Sequence, residues 1–319
     1  MKPIYSVIIP AFNEQEVLEA SFKRLDAVMQ GIGEPYELIF VNDGSRDRTR
    51  DILRRLSREH SCVRALHFSR NFGQQSATTA GLRAARGDAM IIIDCDLQDP
   101  PEVIPDMAKK WRDGDFDIVY GKRTKRDGET ALKRLTSWGF YRTLNALTGF
   151  PIPQDTGDFR LMNRAAVDAF LSMPERNRYL RGMFAWIGFR QGEVLFERDK
   201  RLAGETKYSY AKMIRLALDG MISFSMKPLT AVLGLGLLLV GGGGVWLLGL
   251  LALSLLGRHA GLSPSALAAL MVFLSGLVIA SVGVVGAYVG RIYDEAKGRP
   301  LYIIAERDGF DGNRKEDAR

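Results

Sequence analysis

Three aspartates follow one another closely in the stretch IIIDCDLQDPPE, which runs from Ile91 to Glu102. Asp94, Asp96 and Asp99 come directly after an apolar run, so their like charges would repel one another at the tip of a strand. A divalent cation between them removes that repulsion, and Mg²⁺ prefers oxygen ligands while leaving positions for substrate phosphates. The stretch therefore predicts a metal site that also receives a phosphate-bearing substrate.

Helix capping is the alternative explanation for this acidic cluster. Asp99 alone has the position of an N-cap ahead of a helix that starts near Glu102. One carboxylate oxygen satisfies a helix start, so capping does not account for all three acids. A bare D-x-D pattern is common by chance, and what favours a site is its place at a strand end, opposite PAFNE and VNDGS.

The elements that must position these acids alternate along the chain. Apolar runs predict five strands, in YSVIIPA, YELIFVNDGS, VRALHFS, AMIIIDCD and FDIVYGKR, and helical patterns separate them. Strands that alternate with helices predict an α/β fold with a mostly parallel sheet. Asn13 followed by Glu16 has the spacing of an N-cap with its capping-box partner, which predicts the start of the first helix.

Polar residues collect where the predicted strands end. In mostly parallel α/β sheets, ligands bind outside the carboxyl ends of the strands, so these residues are expected to share one site. The strand ends carry Asn13 and Glu14, Asn42 and Asp43, Ser69 to Gly73, Asp94 to Asp99, and Lys122 with Arg123.

Two long segments near the C-terminus, 228–257 and 260–290, contain no Asp, Glu, Lys or Arg. Each is roughly thirty residues long, and about twenty suffice for a helix to cross a bilayer. We expect two membrane-spanning helices; the alternative is two buried helices of a soluble protein. Basic residues flank the pair on both sides, which predicts that both flanks are cytoplasmic. These residues are Arg215, Lys227, Arg291, Lys297 and Arg299.

The expected organisation is a multi-pass protein of the plasma (inner) membrane, with the catalytic domain and both termini in the cytoplasm. The N-terminal apolar run is too short for a signal peptide. The segment KYSYAKMIRLALDGMISFSMK is typical of an amphipathic helix on the membrane surface, and an ordinary surface helix is the alternative. The predicted boundaries are a catalytic domain at 1–206, an interface helix at 207–228, spans at 229–257 and 266–290, and a tail at 291–319.

The charge balance and the cysteines narrow the function classes. A net charge of +7 suits an anionic membrane surface or phosphate-bearing ligands. No recognised nucleic-acid motif occurs, so nucleic acid is not an expected partner. Cys62 and Cys95 are the only cysteines, which is typical of a reducing compartment. No G-x-G-x-x-G follows the first strand, which disfavours a dinucleotide-dependent dehydrogenase.

Taken together, VIIPAFNE, FVNDGSRDRT, SRNFGQQSATTAGLRAARGD, DCDLQDPPE and DTGDFRLMNR resemble glycosyltransferase family 2, whose fold is GT-A. The chain resembles most its polyprenyl-phosphate branch, that of dolichol-phosphate mannose synthase and the bactoprenol-phosphate glucosyltransferases. The resemblance covers nearly the whole chain, including RLAGETKYSY and the paired apolar segments.

The resemblance implies a role for individual residues. Asp94, Asp96 and Gln98 would bind Mg²⁺ or Mn²⁺, and Asp158 in DTGDFR would lie near the reacting sugar; Asp96, Asp158 and Arg123 are the expected catalytic residues. The nucleotide sugar would contact Pro10, Phe12, Glu14, Asp43, Asn71, Gly73 and, through the metal, Asp94. The acceptor phosphate would meet Arg123, Arg134 and Ser137, and a basic lid would hold Arg201 and Lys207.

Several of these residues have a purely structural alternative. Glu14 could be an acid of a first helical turn, favoured by the helix dipole. Asn71 and Gly73 could simply form a turn, since glycine tolerates a positive φ. Arg134 and Ser137 could lie on a helix surface without contacting the acceptor.

The expected reaction is an inverting transfer from a nucleotide sugar to a polyprenyl phosphate, undecaprenyl phosphate in a bacterium, for the cell envelope. UDP-glucose is the favoured donor, with GDP-mannose and UDP-amino sugars left open. Asp158 favours the glucosyl subgroup, because the mannose synthases read closer to TSGFR there. A phosphate monoester has a second pKa of about 6, so the attacking oxygen needs no strong general base. We therefore expect Asp158 to orient groups rather than to take a proton.

Two other functions stay open at this point. A processive polysaccharide synthase of the same fold would typically carry a Q-x-x-R-W motif and more spans, and neither is present. A non-enzymatic scaffold or a glycolipid flippase is the alternative outside enzymes, although the spans hold no intramembrane charge. Small residues at Gly241 to Gly244, and at Gly286 and Gly290, predict close helix packing and a homo-oligomer.

Overall fold

A computed structural model describes residues 2–124, 156–197, 227–256 and 264–310. These residues divide into two compact units. One contains the described residues before 215 together with those from 299 onward, and the other contains those between 215 and 298.

An eight-stranded sheet forms the centre of the first unit, in the order β7-β5-β6-β4-β1-β2-β3-β8. The neighbours β1–β2, β1–β4, β2–β3 and β5–β7 are parallel, whereas β6 runs antiparallel to β4 and β5, and β8 antiparallel to β3. The strands are β1 Tyr5–Ala11, β2 Tyr36–Asn42, β3 Val63–Phe68, β4 Ala89–Ile92, β5 Ile118–Arg123, β6 Thr156–Asn163, β7 Gln191–Phe196 and β8 Ile304–Asp308.

Helices connect most of these strands, as the sequence predicts. A short 3₁₀ turn, Pro101–Val103, precedes the fourth helix. The helices of the first unit are α1 Leu18–Ile32, α2 Thr49–Glu59, α3 Gln74–Ala84, α4 Ile104–Arg112, α5 Arg164–Ser172 and α6 Leu180–Trp186.

The core explains why the central strands are continuous apolar runs. Val7, Ile8 and Ile9 of β1 are all fully buried, because both faces of this strand are covered. The parallel register aligns Ala11 with Asn42 at the ends of β1 and β2. The loops that follow β1, β2, β3 and β4 therefore meet at one edge of the sheet, which we call the carboxyl edge.

Strand β6 is a feature that the sequence pattern did not reveal. It lies between β4 and β5, antiparallel to both, and pairs Ile92 with Arg160. It also carries Asp158, so the insertion places that residue beside the end of β4. Strand β8 confirms the expectation that a short strand after the second apolar segment returns to the sheet.

The predicted capping box at the first helix is wrong. Helix α1 starts at Leu18, and Val17 before it makes no side-chain cap. Asn13 instead has a left-handed backbone with a φ of 54°, and its Oδ1 accepts a hydrogen bond from the backbone N–H of Arg46 at 2.9 Å. The side chain therefore joins two loops of the carboxyl edge.

The second unit contains two long helices, α7 Lys227–Leu255 and α8 Pro264–Ala296. Among the described residues, one stretch, Leu274–Ala296 with a mean hydropathy of 1.6, is long and apolar enough to cross a membrane. A shorter apolar stretch, Val232–Gly243, lies in α7. Both predicted segments are thus helical where the structure describes them, and the predicted span at 229–257 stays a prediction.

Candidate active site

A tight turn after β4 gathers the predicted metal ligands. The strand ends at Ile92, four residues before the end of the predicted strand AMIIIDCD, and Leu97 takes a left-handed φ of 57°. Asp96 stabilises the turn, because its Oδ1 accepts a hydrogen bond from the backbone N–H of Gln98 at 3.1 Å. The turn thus replaces the strand geometry that would direct Asp94 and Asp96 to opposite faces.

Asp94 lies among carboxylates. Burial, together with the negative charges of Asp158, Asp99 and Asp96, raises its pKa to about 8, while Arg123 acts in the opposite direction. The Gln74 side-chain amide donates to Asp94 Oδ1 at 2.8 Å. A carboxyl group in such surroundings becomes ionised readily only when a further positive charge approaches.

Asp99 holds Arg123 at the carboxyl edge. The Asp99 side chain is 2% exposed, and its Oδ1 lies 3.1 Å from Arg123 Nη2. The suggestion that Asp99 caps a helix is wrong, because Pro100 precedes the 3₁₀ turn without any side-chain cap. Arg123 Nε is also buried and has no hydrogen-bond partner among the described residues.

Asp158 faces arginines from two further elements. Arg181 on α6 donates through Nε to Asp158 Oδ1 at 3.1 Å. Burial acts to raise the pKa of Asp158, but Arg181, Arg160 and Arg123 together hold it below its usual value. The carboxylate is therefore charged at neutral pH and is a poor proton acceptor.

Arg160 is a buried cation beneath this group. It is 5% exposed, and its Nη2 donates to the Gly157 carbonyl oxygen at 3.1 Å. Its guanidinium lies 4.7 Å from the centre of the Phe184 ring. Burial lowers its pKa to about 10, so it stays charged at neutral pH.

The other half of the carboxyl edge is organised by Asp43. Its buried carboxylate accepts hydrogen bonds from the backbone N–H groups of Phe72 and Gly73 at 2.6 and 2.9 Å. Burial raises the pKa of Asp43, and these two hydrogen bonds oppose the rise. Gly44 makes the approach possible, because a Cβ there would lie 2.3 Å from the Arg70 carbonyl carbon. Asp43 thus fixes the loop between β3 and α3.

The remaining predicted donor residues lie along the same edge. Pro10 is in β1 opposite Val41, and Phe12 follows the end of the strand; both are half-buried. Glu14 is half-buried as well, and its backbone N–H donates to Thr49 Oγ1 at 3.0 Å. Asn71 is exposed in the loop held by Asp43.

Comparison with known proteins assigns this arrangement to a family. Residues 6–171 match the family described as glycosyl transferase family 2. The chain belongs to this family, and it is a glycosyltransferase. Its sheet is the mostly parallel α/β sheet of a GT-A-like fold, as expected from the sequence.

Curated relatives match over nearly the full chain. The "Uncharacterized glycosyltransferase YkcC" of Bacillus subtilis is 46% identical over 310 residues, which are 97% of this chain and 96% of that protein. The "Bactoprenol glucosyl transferase" of Shigella phage SfII is 39% identical over 302 residues, 94% of this chain and 96% of that protein.

Among solved structures, glucosyl-3-phosphoglycerate synthase from Mycobacterium tuberculosis in complex with phosphoglyceric acid is 21% identical. It superposes with a TM-score of 0.48, over 70% of this chain and 80% of that one.

Four predicted site residues of this glycosyltransferase lie outside the described residues: Arg134, Ser137, Arg201 and Lys207. The same holds for nearly all of the predicted interface helix at 207–228. Their roles stay predictions.

The carboxylate ligands that the acidic turn offers are compatible with a divalent cation. In the part of the chain that the structure describes, no three His, Cys, Asp or Glu side chains are already arranged as metal ligands. Mg²⁺ commonly takes only one or two carboxylates and completes its shell with water and substrate phosphates. Asp94 and Asp96 offer such carboxylates, and the raised pKa of Asp94 indicates a position that favours added positive charge.

Three side chains that contact predicted site residues or lie beside them were not predicted from the sequence: Gln74, Arg160 and Arg181. Arg160 carried one usable signal, since it lies two residues after Asp158 and side chains two apart on a strand share a face. Nothing in the sequence pointed to Arg181, because only the contact of α6 with β6 brings it to Asp158.

Proposed function

We propose that this family member transfers a sugar, with glucose favoured, from a nucleotide sugar to a membrane polyprenyl phosphate. The transfer depends on Mg²⁺ or Mn²⁺ and inverts the anomeric configuration. The observation that carries the proposal is the 39% identity, over 94% of this chain, to a protein named bactoprenol glucosyl transferase.

The extent of that match supports a lipid acceptor. It includes residues beyond the family's matched region at 6–171, and therefore includes helices that a soluble transferase would not need. The apolar stretch Leu274–Ala296 supports attachment to the membrane where such an acceptor resides. We propose that α7 and α8 both span it, with the domain boundaries and cytoplasmic termini predicted above and a homo-oligomeric assembly.

The donor is assigned to the part of the carboxyl edge around Asp43. Pro10, Phe12, Glu14 and the loop that carries Asn71 and Gly73 border a single region there. UDP-glucose is the favoured donor, because one of the relatives named above is a bactoprenol glucosyl transferase.

Asp94 and Asp96, with Gln98, would hold the metal ion beside the donor diphosphate. When bound, the ion supplies positive charge that stabilises the departing diphosphate. Arg123 lies beside the acidic turn, where Asp99 holds it.

The reaction we propose is a single displacement. An oxygen of the acceptor phosphate attacks the anomeric carbon, a new carbon–oxygen bond forms, and the bond to the nucleoside diphosphate breaks. Arg123 contacts the acceptor phosphate and offsets the repulsion between this phosphate and the diphosphate. Asp158, charged and held by Arg181, orients the sugar and the arginines and takes no proton.

The experiment that tests this proposal combines the purified full-length protein with undecaprenyl phosphate, Mg²⁺ and one nucleotide sugar at a time. The panel holds UDP-glucose, UDP-N-acetylglucosamine and GDP-mannose, and mass spectrometry of the lipid identifies the product. We expect a hexose adduct with UDP-glucose only, and no product in EDTA.

Arg123→Ala separates the acceptor role from the donor role in the same assay. Its expected result is a higher KM for the lipid phosphate with donor binding nearly unchanged. A panel that yields no lipid-linked sugar from any donor would refute the proposed function.

A further inference from the structure

His67 is a buried titratable side chain that the proposed reaction does not use. It is 1% exposed, lies on β3, and is flanked by polar groups from two neighbouring strands. Its Nδ1 is 3.0 Å from Asn42 Nδ2 on β2, and its Nε2 is 3.0 Å from Asp308 Oδ2 on β8. The imidazole therefore joins the C-terminal strand to the end of β2.

The network determines which nitrogen of His67 carries the proton. The Ser45 backbone N–H donates to Asn42 Oδ1 at 2.9 Å, so the amide group turned towards His67 is the NH₂, which only donates. Nδ1 must then accept, and the proton resides on Nε2, which donates to Asp308. Each group in this series of hydrogen bonds, from Asp308 through His67 and Asn42 to Ser45, thus has one orientation.

The chain of hydrogen bonds continues into the donor region. Ser45 Oγ accepts from the backbone N–H of Asn13 at 2.9 Å, and Asn13 Oδ1 accepts from the backbone N–H of Arg46. Asn13 lies between Phe12 and Glu14, and Asn42 precedes Asp43. The loops after β1 and β2, which hold predicted nucleotide contacts, are therefore joined through Asn13 and Ser45, and Ser45 in turn is bonded to Asn42.

A second connection from the C-terminal segment reaches the loop after β3. The Tyr302 ring stacks on Phe68 with centroids 5.1 Å apart, and the backbone N–H of Ser69 donates to the Ile303 carbonyl at 3.0 Å. Phe68 in turn packs edge-on against Phe72, whose N–H binds Asp43. Both connections converge on the residues around Asp43.

We propose that strand β8 is a positioning element of the donor site, and that Asp308 acts on the nucleotide-binding loops through His67 and Asn42. This inference rests on the proposed function, since it concerns the donor of that reaction. The strand is the next element after α8 along the chain, so the segment that returns from the apolar helix would complete the framework of the nucleotide site.

The charge around His67 is consistent with a fixed neutral imidazole. Burial lowers the pKa of His67, while Asp308 and Glu306 of β8 act to raise it and Arg50 of α2 acts to lower it. A neutral ring preserves the Nδ1 acceptor, whereas a proton on Nδ1 would face the Asn42 amide donor.

Another ion pair on β8 provides the matched control. Glu306 lies opposite His67 in the register of β8 and β3, but its carboxylate pairs with Arg50 and Arg54 on α2, whereas the ring nitrogens of His67 bond to Asn42 and Asp308. Glu306→Gln therefore weakens the attachment of β8 but leaves the Asp308–His67 hydrogen bond intact. If β8 contributed only to the stability of the fold, removing the Asp308 contact and removing the Glu306 contact would weaken UDP binding alike.

The test measures UDP binding in the presence of Mg²⁺ by titration calorimetry on the full-length protein in detergent, and the steady-state KM of donor and acceptor. We expect Asp308→Ala to raise the Kd for UDP and the KM for UDP-glucose about tenfold. That change equals about 1.4 kcal/mol, the size of one buried hydrogen bond. The KM for the lipid phosphate should stay within twofold of wild type.

Asp308→Asn should restore most of the affinity, because its amide oxygen still accepts from Nε2. His67→Gln, which keeps a donor towards Asp308 but loses the Nδ1 acceptor, should weaken UDP binding as Asp308→Ala does. It also serves as the second variant should Asp308→Ala not fold. Glu306→Gln should bind UDP like the wild type, even if thermal unfolding occurs at a lower temperature.

Wild-type UDP affinity in both Asp308→Ala and His67→Gln would overturn this inference and leave the proposed function intact. An equal loss of affinity in Glu306→Gln would also overturn it, because β8 would then act only through stability. If the wild-type protein itself binds no UDP and transfers no sugar, the proposed function fails and this inference fails with it.

Discussion

The contact between Asp99 and Arg123 makes a quantitative prediction, because one substitution should separate acceptor use from donor use. In Asp99→Asn the shape is preserved and the negative charge is lost. The two groups are 3.1 Å apart, with side chains 2% and 25% exposed. A hydrogen bond between charged groups contributes about 1.5–3 kcal/mol, and the asparagine oxygen keeps part of it, so the expected loss is about 1.5 kcal/mol.

That loss should appear in two measurements. The unfolding midpoint of the catalytic unit should fall by about 4 °C, since about 1 kcal/mol shifts a domain of this size by about 2–4 °C. If Arg123 binds the acceptor phosphate, kcat/KM for undecaprenyl phosphate should fall about tenfold, since about 1.4 kcal/mol is one factor of ten.

The donor side should change in the opposite direction. The charge of Asp99 is one of the causes that raise the pKa of Asp94, so its removal lowers that pKa. More of Asp94 is then ionised at pH 7, and Mn²⁺ and UDP should bind as tightly as in the wild type or more tightly. Calorimetric titration of UDP with Mn²⁺ measures this directly.

Glu193→Gln is the control for this prediction. Glu193 pairs with Lys122, the neighbour of Arg123, at 2.9 Å, but both side chains are about two-fifths exposed, at 41% and 38%. Such exposed ion pairs contribute about 0–1 kcal/mol to stability. The unfolding midpoint, the kcat/KM for the acceptor and the binding of the donor should therefore be nearly unchanged. The reasoning is refuted if Asp99→Asn loses stability while its kcat/KM for the acceptor stays within twofold, or if donor binding weakens equally.

Three further predictions concern the metal, the proton and the spans. Asp96→Asn should lower turnover at least about a hundredfold, the usual cost of one lost electrostatic stabiliser; unchanged turnover in EDTA would exclude the metal role. The rate should fall below a pH of about 6, as the acceptor phosphate takes up a proton. Asp158→Asn should show the same fall in rate at low pH, because arginines hold the pKa of Asp158 below its usual value. If this variant lost the pH dependence while both substrates still bound normally, Asp158 would be the base. In the predicted spans, Gly286→Leu with Gly290→Leu should reduce cross-linking between protomers, since a Cβ at either position meets no atom of the described residues within 4 Å. Unchanged cross-linking would mean that these glycines do not pack against a partner.

Much of the fold could be predicted because its signals are local. The runs that form β1 to β5 are mostly apolar, since strands covered on both faces favour nearly continuous apolar sequence. The acidic turn was recognisable for the same reason, as it interrupts such a run at Asp94. The two long apolar helices followed from composition alone.

The first helix shows where a local pattern misleads. Asn13 and Glu16 have the spacing of a capping box, but the chain reaches its first helical residue only at Leu18. Asn13 instead binds Arg46 across the carboxyl edge. The energy that decides between these conformations comes from a loop distant in sequence.

The sequence by itself determined the alternation of strands and helices, the edge where the candidate site lies and the acids of the turn after β4. Only the tertiary structure decided the partners: Arg123 for Asp99, Arg181 for Asp158, and Asp308 for His67. These pairs depend on β6 inserting between β4 and β5, and on β8 returning to β3. Such pairings join segments far apart along the chain, and the periodicity of a short window carries no information about which distant strand will lie beside it.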